Sequence, residues 1–226
     1  CSHKTFAIMK EEISDCSGRP ADDRETLAAQ VRDVKRRLRG VMNGIVSTSM
    51  REKGLTYKVN FGVDLPRLGE LAEELPHTAT LASALRHEDI RECRLLAAML
   101  QPANELLPEV ADIWVEQMRF TEEAECTVFY LFRHLPYASQ KVFEWIAREE
   151  SMFRLCGWLL LARLFMQGLR PSARDAEEVK DQLAAELAGN EPALKLAARK
   201  ALLKYMNLGP EEEAQGERLL SSSGQA

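Results

Sequence analysis

A small residue returns at the same point of a strongly apolar helical pattern at intervals of about thirty residues, and this recurrence constrains the fold more than any other feature. The windows are Arg91-Glu92-Cys93-Arg94-Leu95-Leu96-Ala97, Glu123-Ala124-Glu125-Cys126-Thr127-Val128-Phe129 and Phe153-Arg154-Leu155-Cys156-Gly157-Trp158-Leu159. A fourth window, Lys195-Leu196-Ala197-Ala198-Arg199-Lys200-Ala201, carries alanines in the comparable place after a wider gap. A helical unit repeated in this way cannot bury its apolar face alone, so the copies must stack on one another.

The rest of the chain agrees with a helical array. Leu27, Val31, Val34, Leu38, Val41, Met42 and Ile45 recur at helical spacing and predict one helix, capped by Asp22 or Asp23. Residues 53–63, with glycine near both ends, break that pattern and lead to Asp64-Leu65-Pro66, which fits an N-cap and first turn. Helices are then expected over 65–74, 78–85, 90–100, 103–118, 122–135, 138–147, 151–165, 173–188 and 191–206. Prolines punctuate the joints and Asn207-Leu208-Gly209-Pro210 stops the last helix. No run alternates in polarity, so the fold is expected to be all-α, with antiparallel helix pairs stacked in a curved solenoid over 21–208. Residues 1–20 read as a flexible arm and 209–226, rich in Glu, Gln, Ser and Gly, as a disordered tail.

Hydrophobic residues make up 46% of the chain, ample for a core without staples. No stretch is long and apolar enough to span a bilayer, and the start, which lacks Met, has no signal-peptide pattern; a cytoplasmic protein without a membrane partner is expected. The five cysteines form no Cys-x-x-Cys and the four histidines lack ligand spacing, so no metal site is expected. Cys93, Cys126 and Cys156 are instead expected to be small, buried packing residues. Net charge is −5, which disfavours a general nucleic-acid binder. Between Val31 and Asn60, however, eight basic residues face only Asp33 and Glu52, which offers one anion-facing patch on an otherwise acidic surface.

Several of these segments carry a resemblance. Leu55-Thr56-Tyr57-Lys58-Val59-Asn60-Phe61-Gly62-Val63 with Pro66-Arg67-Leu68 resembles the lead-in of the HEAT-like DNA alkylation-repair glycosylases. Ile90-Arg91-Glu92-Cys93 is similar to that family's helix with a His/Arg-Glu pair, and Asp112-Ile113-Trp114-Val115 to the approach to its active-site helix. The resemblance runs from about Val31 to Leu208 and implies a HEAT-like repeat solenoid. It implies further a concave basic surface for duplex DNA, no cofactor, and excision of cationic alkylated bases. For that chemistry a carboxylate near the sugar stabilises oxocarbenium character, aromatic faces hold the cationic base, and an arginine holds phosphate.

The chain departs from the family pattern at those positions. Where the family's active-site helix reads Trp-Asp-x-x-Asp, this chain has Thr121-Glu122-Glu123-Ala124-Glu125. Glu125 takes the place of the catalytic aspartate and Thr121 that of the tryptophan; the family's arginine falls at Leu155 and its late tryptophan near Lys200. Glu125, with Glu122 or Thr121 ordering water, is the candidate acid for N-glycosidic hydrolysis; the other reading of these carboxylates is a solvated, acidic helix start. Arg91-Glu92 reads as an ion pair or interhelical bridge, and Trp114, Trp145 and Trp158 as packing. Arg51, Lys53, Tyr57, Lys58 and Asn60 are candidate DNA contacts, although Tyr57, Val59 and Phe61 would serve equally as a hydrophobic plug. The overall expectation is a DNA-binding HEAT-like solenoid with weak or altered base excision at most. Its rival is a non-catalytic scaffold for a protein or peptide partner, which the negative net charge favours.

Overall fold

The computed structural model describes residues 21–223, and among these the chain forms α-helices and no strand. The order is α1 (Ala21–Gly40), α2 (Gly44–Glu52), α3 (Leu65–Glu73), α4 (Ala79–Arg86), α5 (Arg91–Leu100) and α6 (Pro108–Glu116). Then come α7 (Thr121–Tyr130), α8 (Ala138–Ile146), α9 (Ser151–Met166), α10 (Ala173–Ala188), α11 (Pro192–Met206) and α12 (Pro210–Ser223). Helices α5, α7, α9 and α11 each pack on the next, while α4 lies against α5, α6 and α8 against α9, and α10 against α11. One continuous row is thus backed by a second layer, the stacked architecture expected of a helical repeat.

The recurring cysteines lie on successive members of that row. Cys93 on α5, Cys126 on α7 and Cys156 on α9 are all buried, with the Cys126 thiol 3.8 Å from the Leu95 carbonyl oxygen and Cys156 Sγ 3.7 Å from Met118 Sδ. A small side chain at this point lets neighbouring helices approach. Helix α9 is the centre of the stack: Phe153, Leu155, Cys156, Trp158, Leu160, Leu161, Leu164 and Phe165 bury nearly its whole circumference. A helix apolar on all sides must be enclosed by others, and α6, α7, α8 and α11 enclose this one. Gly157 marks the closest approach, since a Cβ there would meet Ile146 Cγ1 at 2.7 Å and the Ile146 backbone nitrogen at 3.0 Å.

Some boundaries differ from the sequence expectation for identifiable reasons. The first helix ends at Gly40 rather than running to Ile45, and begins at Ala21, ahead of the aspartates expected to cap it. Asn43 starts α2 instead, its side chain accepting from the Val46 N–H at 3.2 Å while its own N–H donates to the Phe61 carbonyl at 2.8 Å. Met42 and Ile45 therefore point outward, Ile45 with 85% of its surface exposed, and neither joins the core. The helix expected over 103–118 is split because Pro108, lacking an N–H, occupies the first turn of α6. The one expected over 122–135 ends at Tyr130; Leu131 leaves helical geometry and a 3-10 turn at Phe132–His134 sends Phe132 against Trp145, ring centres 5.0 Å apart.

The expected disordered tail is also corrected, for residues 210–223 form α12. Pro210 begins it, three glutamates fill its first turn, and it packs on α10 and α11. Tyr205 donates to Gln215 Oε1 at 2.7 Å and Arg170 to Glu212 at 2.6 Å. Buried Gly216 allows the approach, because a Cβ would lie 2.2 Å from Met206 Cγ. The expected arm at 1–20 lies outside the described residues, as do 224–226.

Burial pushes the Cys93 and Cys126 thiols up to about 12 and raises Cys156 as well. Iodoacetamide at mildly alkaline pH should therefore leave these three cysteines unmodified in the native protein. Peptide mass spectrometry checks this, with full modification expected once denaturant is added.

Candidate functional site

One arginine and two glutamates on α5 and α7 lock the irregular segment 57–63 to the helix stack. Glu92 is fully buried and its carboxylate accepts from the Phe61 N–H at 3.1 Å and the Val63 N–H at 3.2 Å. Arg91 donates to the Val63 carbonyl at 2.8 Å and grips both oxygens of Glu122 from Nε, with Nη2 adding a 2.9 Å bond. The Arg91-Glu92 pair is thus a structural clamp. Glu122, expected as a water-ordering carboxylate, has both oxygens engaged by it.

Glu123 is the centre of a second, deeper network. Its Oε2 accepts from Arg94 at 2.7 Å and from Arg86 at 3.4 Å. Arg94 also donates to the Gln117 carbonyl at 2.6 Å, and Arg86 to the Trp114 carbonyl at 2.6 Å with its guanidinium 5.0 Å from the Trp114 ring. Burial and the neighbouring Arg94 charge push Arg86 down to about 10. A buried carboxylate shared by two guanidiniums is strongly destabilising to break, because removal leaves uncompensated charge inside the protein.

The predicted DNA contacts divide into two sets. Tyr57 and Asn60 retain only 4% and 5% exposure and face inward. Tyr57 packs on Phe120 with ring centres 4.4 Å apart, and burial, with the charges of Glu123 and Glu122 behind it, pushes its phenol up. Asn60 accepts from the Gly62 N–H at 2.8 Å, and its carbonyl accepts from the Ser47 hydroxyl at 2.7 Å. Gly62 sits at φ +72°, where a Cβ would be 2.3 Å from the Asn43 carbonyl oxygen. The side chains of Tyr57 and Asn60 are thus corrected from surface contacts to a plug. Arg51, Lys53 and Lys58 around them are exposed.

Glu125 stands elsewhere, at the edge of a cavity of about 450 Å³ formed by α7, α9 and α11 opposite Leu65 of α3. The cavity reaches from α3 to α11, so the row is concave on this side. Glu125 is half exposed and lies 3.5 Å from Lys200 Nζ. Lys204 follows one turn later on α11, and Arg163 of α9 places its guanidinium 4.9 Å from the Phe129 ring centre. Arg133 lies over the same ring at 4.3 Å. Among the described residues, no carboxylate pairs with Arg133, Arg163 or Lys204. Three cations, Arg163, Lys200 and Lys204, thus line the cavity with one carboxylate, and Arg133 lies beside it on the Phe129 ring.

The sequence points to Glu125 and Lys200 here but not to Arg133, Arg163 or Lys204. Their only sequence signal is i,i+4 spacing, Phe129 with Arg133 and Lys200 with Lys204.

The remaining family positions hold packing groups. Leu155, in the arginine's place, is buried, while neighbouring Arg154 pairs with Glu191 at 2.9 Å and Glu186 at 3.5 Å. Trp114 lies under Arg86; Trp145 donates to Asp112 at 2.7 Å and Trp158 to Glu186 at 2.9 Å. All three are buried. Among the described residues there is no His, Cys, Asp and Glu cluster able to hold a metal, and no helix long and apolar enough to cross a membrane.

The architecture is that of a HEAT-like helical repeat. A solved structure described as a new family of proteins related to the HEAT-like repeat DNA glycosylases with affinity for branched DNA structures superposes with a TM-score of 0.75. The match covers 85% of this chain and 82% of that one at 13% identity, and it establishes the fold. No protein-family model and no curated protein matches the sequence.

The two acidic positions should separate sharply on mutation. Glu123→Ala strands Arg86 and Arg94 and should cost about 3–5 kcal/mol, read from chemical denaturation. Glu125→Gln, on an exposed pair, should stay within about 0.5 kcal/mol of the wild type.

Proposed function

We propose that this protein binds DNA through phosphate contacts on the concave side of the helix stack, without excising bases. The observation that carries this reading is the cavity bordered by Arg163, Lys200 and Lys204, with Arg133 over the adjoining Phe129 and Glu125 as the sole carboxylate among its lining residues. A chain of net charge −5 that gathers three cations and a single carboxylate into one concavity creates a local field opposite to its average, which draws a polyanion to that face. Arg51, Lys53 and Lys58, exposed around the 54–58 loop, are proposed as further phosphate contacts. The structural neighbour's described affinity for branched DNA supports the same class of partner.

The same electrostatics argue against excision of a cationic base. Phe129, which lines the cavity with Tyr130, already carries two guanidiniums, and Glu125 sits beside Lys200. Oxocarbenium stabilisation needs negative potential at the sugar, whereas this site is positive.

Fluorescence anisotropy with a duplex oligonucleotide tests the proposal. Affinity should fall linearly with salt on a log–log plot, and replacing Arg163, Lys200 and Lys204 by glutamine should reduce the slope by about three. Glu125→Gln should tighten binding, and DNA carrying a cationic alkylated purine should release no base with either protein. Absence of binding at low salt would remove this reading in favour of a protein or peptide partner.

A further inference from the structure

Continuous duplex explains the cations of the cavity but leaves its floor unused. Leu65 and Met166 keep 41% and 56% of their surface exposed, and both line the cavity together with half-buried Phe129. Large apolar side chains left in water cost free energy unless a partner covers them. A paired duplex offers that face only phosphates and sugars, because its bases are stacked inside. An unpaired nucleotide differs: it carries a flat apolar base and an anionic phosphate on either side.

The apolar and cationic parts of the cavity each have a counterpart in such a nucleotide. Its volume, about 450 Å³, falls in the ordinary range for a small-ligand site. The Arg163 guanidinium, 4.9 Å from the Phe129 ring centre, presents a backed planar cation of the kind on which bases stack. Lys200 and Lys204, one turn apart on α11, line the same cavity and suit the flanking phosphates. An additional positive charge on the base would meet Arg163 and Lys200, so a neutral base is preferred.

We propose that this cavity seats a single unpaired nucleotide of a DNA strand, one with an uncharged base. Its base lies on Arg163, Leu65 and Met166, and its phosphates on Lys200 and Lys204. The protein is thereby directed to branched, bulged or gapped DNA rather than to continuous duplex. This inference rests on the DNA-binding reading above and adds a preference that phosphate contacts alone do not produce, since they carry no information about pairing.

The test compares a duplex bearing a single-nucleotide bulge of 2-aminopurine with a fully paired duplex carrying 2-aminopurine at the same place. The bulged DNA should bind about tenfold more tightly, and 2-aminopurine emission should change on binding only in the bulge. Leu65→Ser with Met166→Ser, both at exposed positions, should abolish the preference by weakening the bulged DNA about tenfold relative to the paired duplex. Equal affinities with no change in emission would overturn the inference and leave DNA binding standing. Failure of both DNAs to bind at low salt would overturn both readings.

Discussion

The carboxylate of Glu123, buried between the guanidiniums of Arg86 and Arg94, sets where α7 lies against α4 and α5. Arg94 and Arg86 also cap the carbonyls of Gln117 and Trp114 at the end of α6, so one ionic cluster joins four consecutive helices. Burial of charge is unfavourable in itself, and the geometry holds only because each guanidinium spends further donors on backbone oxygens. Arg91, Glu92 and Glu122 extend the principle to the 57–63 segment, whose backbone N–H and carbonyl groups would otherwise lie unsatisfied against the core. With α7 fixed at its N-terminus, the same helix carries Glu125 and, one turn on, Phe129 to the concave side.

The repeat was legible in the sequence because its signal is local. A cysteine before an apolar run needs only helical periodicity to be read as a packing position, and Cys93, Cys126 and Cys156 occupy such positions on α5, α7 and α9. The ends of helices were less legible where tertiary contacts decide them. Asn43 is drawn out of α1 by the Phe61 carbonyl, and α12 forms because α10 and α11 offer it a surface, neither of which a local pattern records. Glu123 shows the same limit for charge. Amid Glu122 and Glu125 it reads as part of a solvated helix start, yet it alone of the three turns fully inward.

The candidate site was only half legible for a related reason. Glu125 and Lys200 could be placed by resemblance, but Arg133, Arg163 and Lys204 lie on separate elements and converge only once the row is built. What the fold retains from its architecture is a concavity; what it lacks is the negative potential that a cationic base requires, since Phe129 in its lining already lies under two guanidiniums. The local excess of positive charge and the exposed apolar floor instead favour a polyanion that can expose a neutral ring. Fold and chemistry thus part company here, as they do wherever a scaffold is shared more widely than its site.

Lysine acylation footprinting reports directly on whether DNA occupies this concavity. Bound DNA should protect Lys200 and Lys204 while Lys180, on the backing helix α10, reacts as it does without DNA. Unchanged acylation of Lys200 and Lys204 under conditions where DNA is bound would contradict that occupancy.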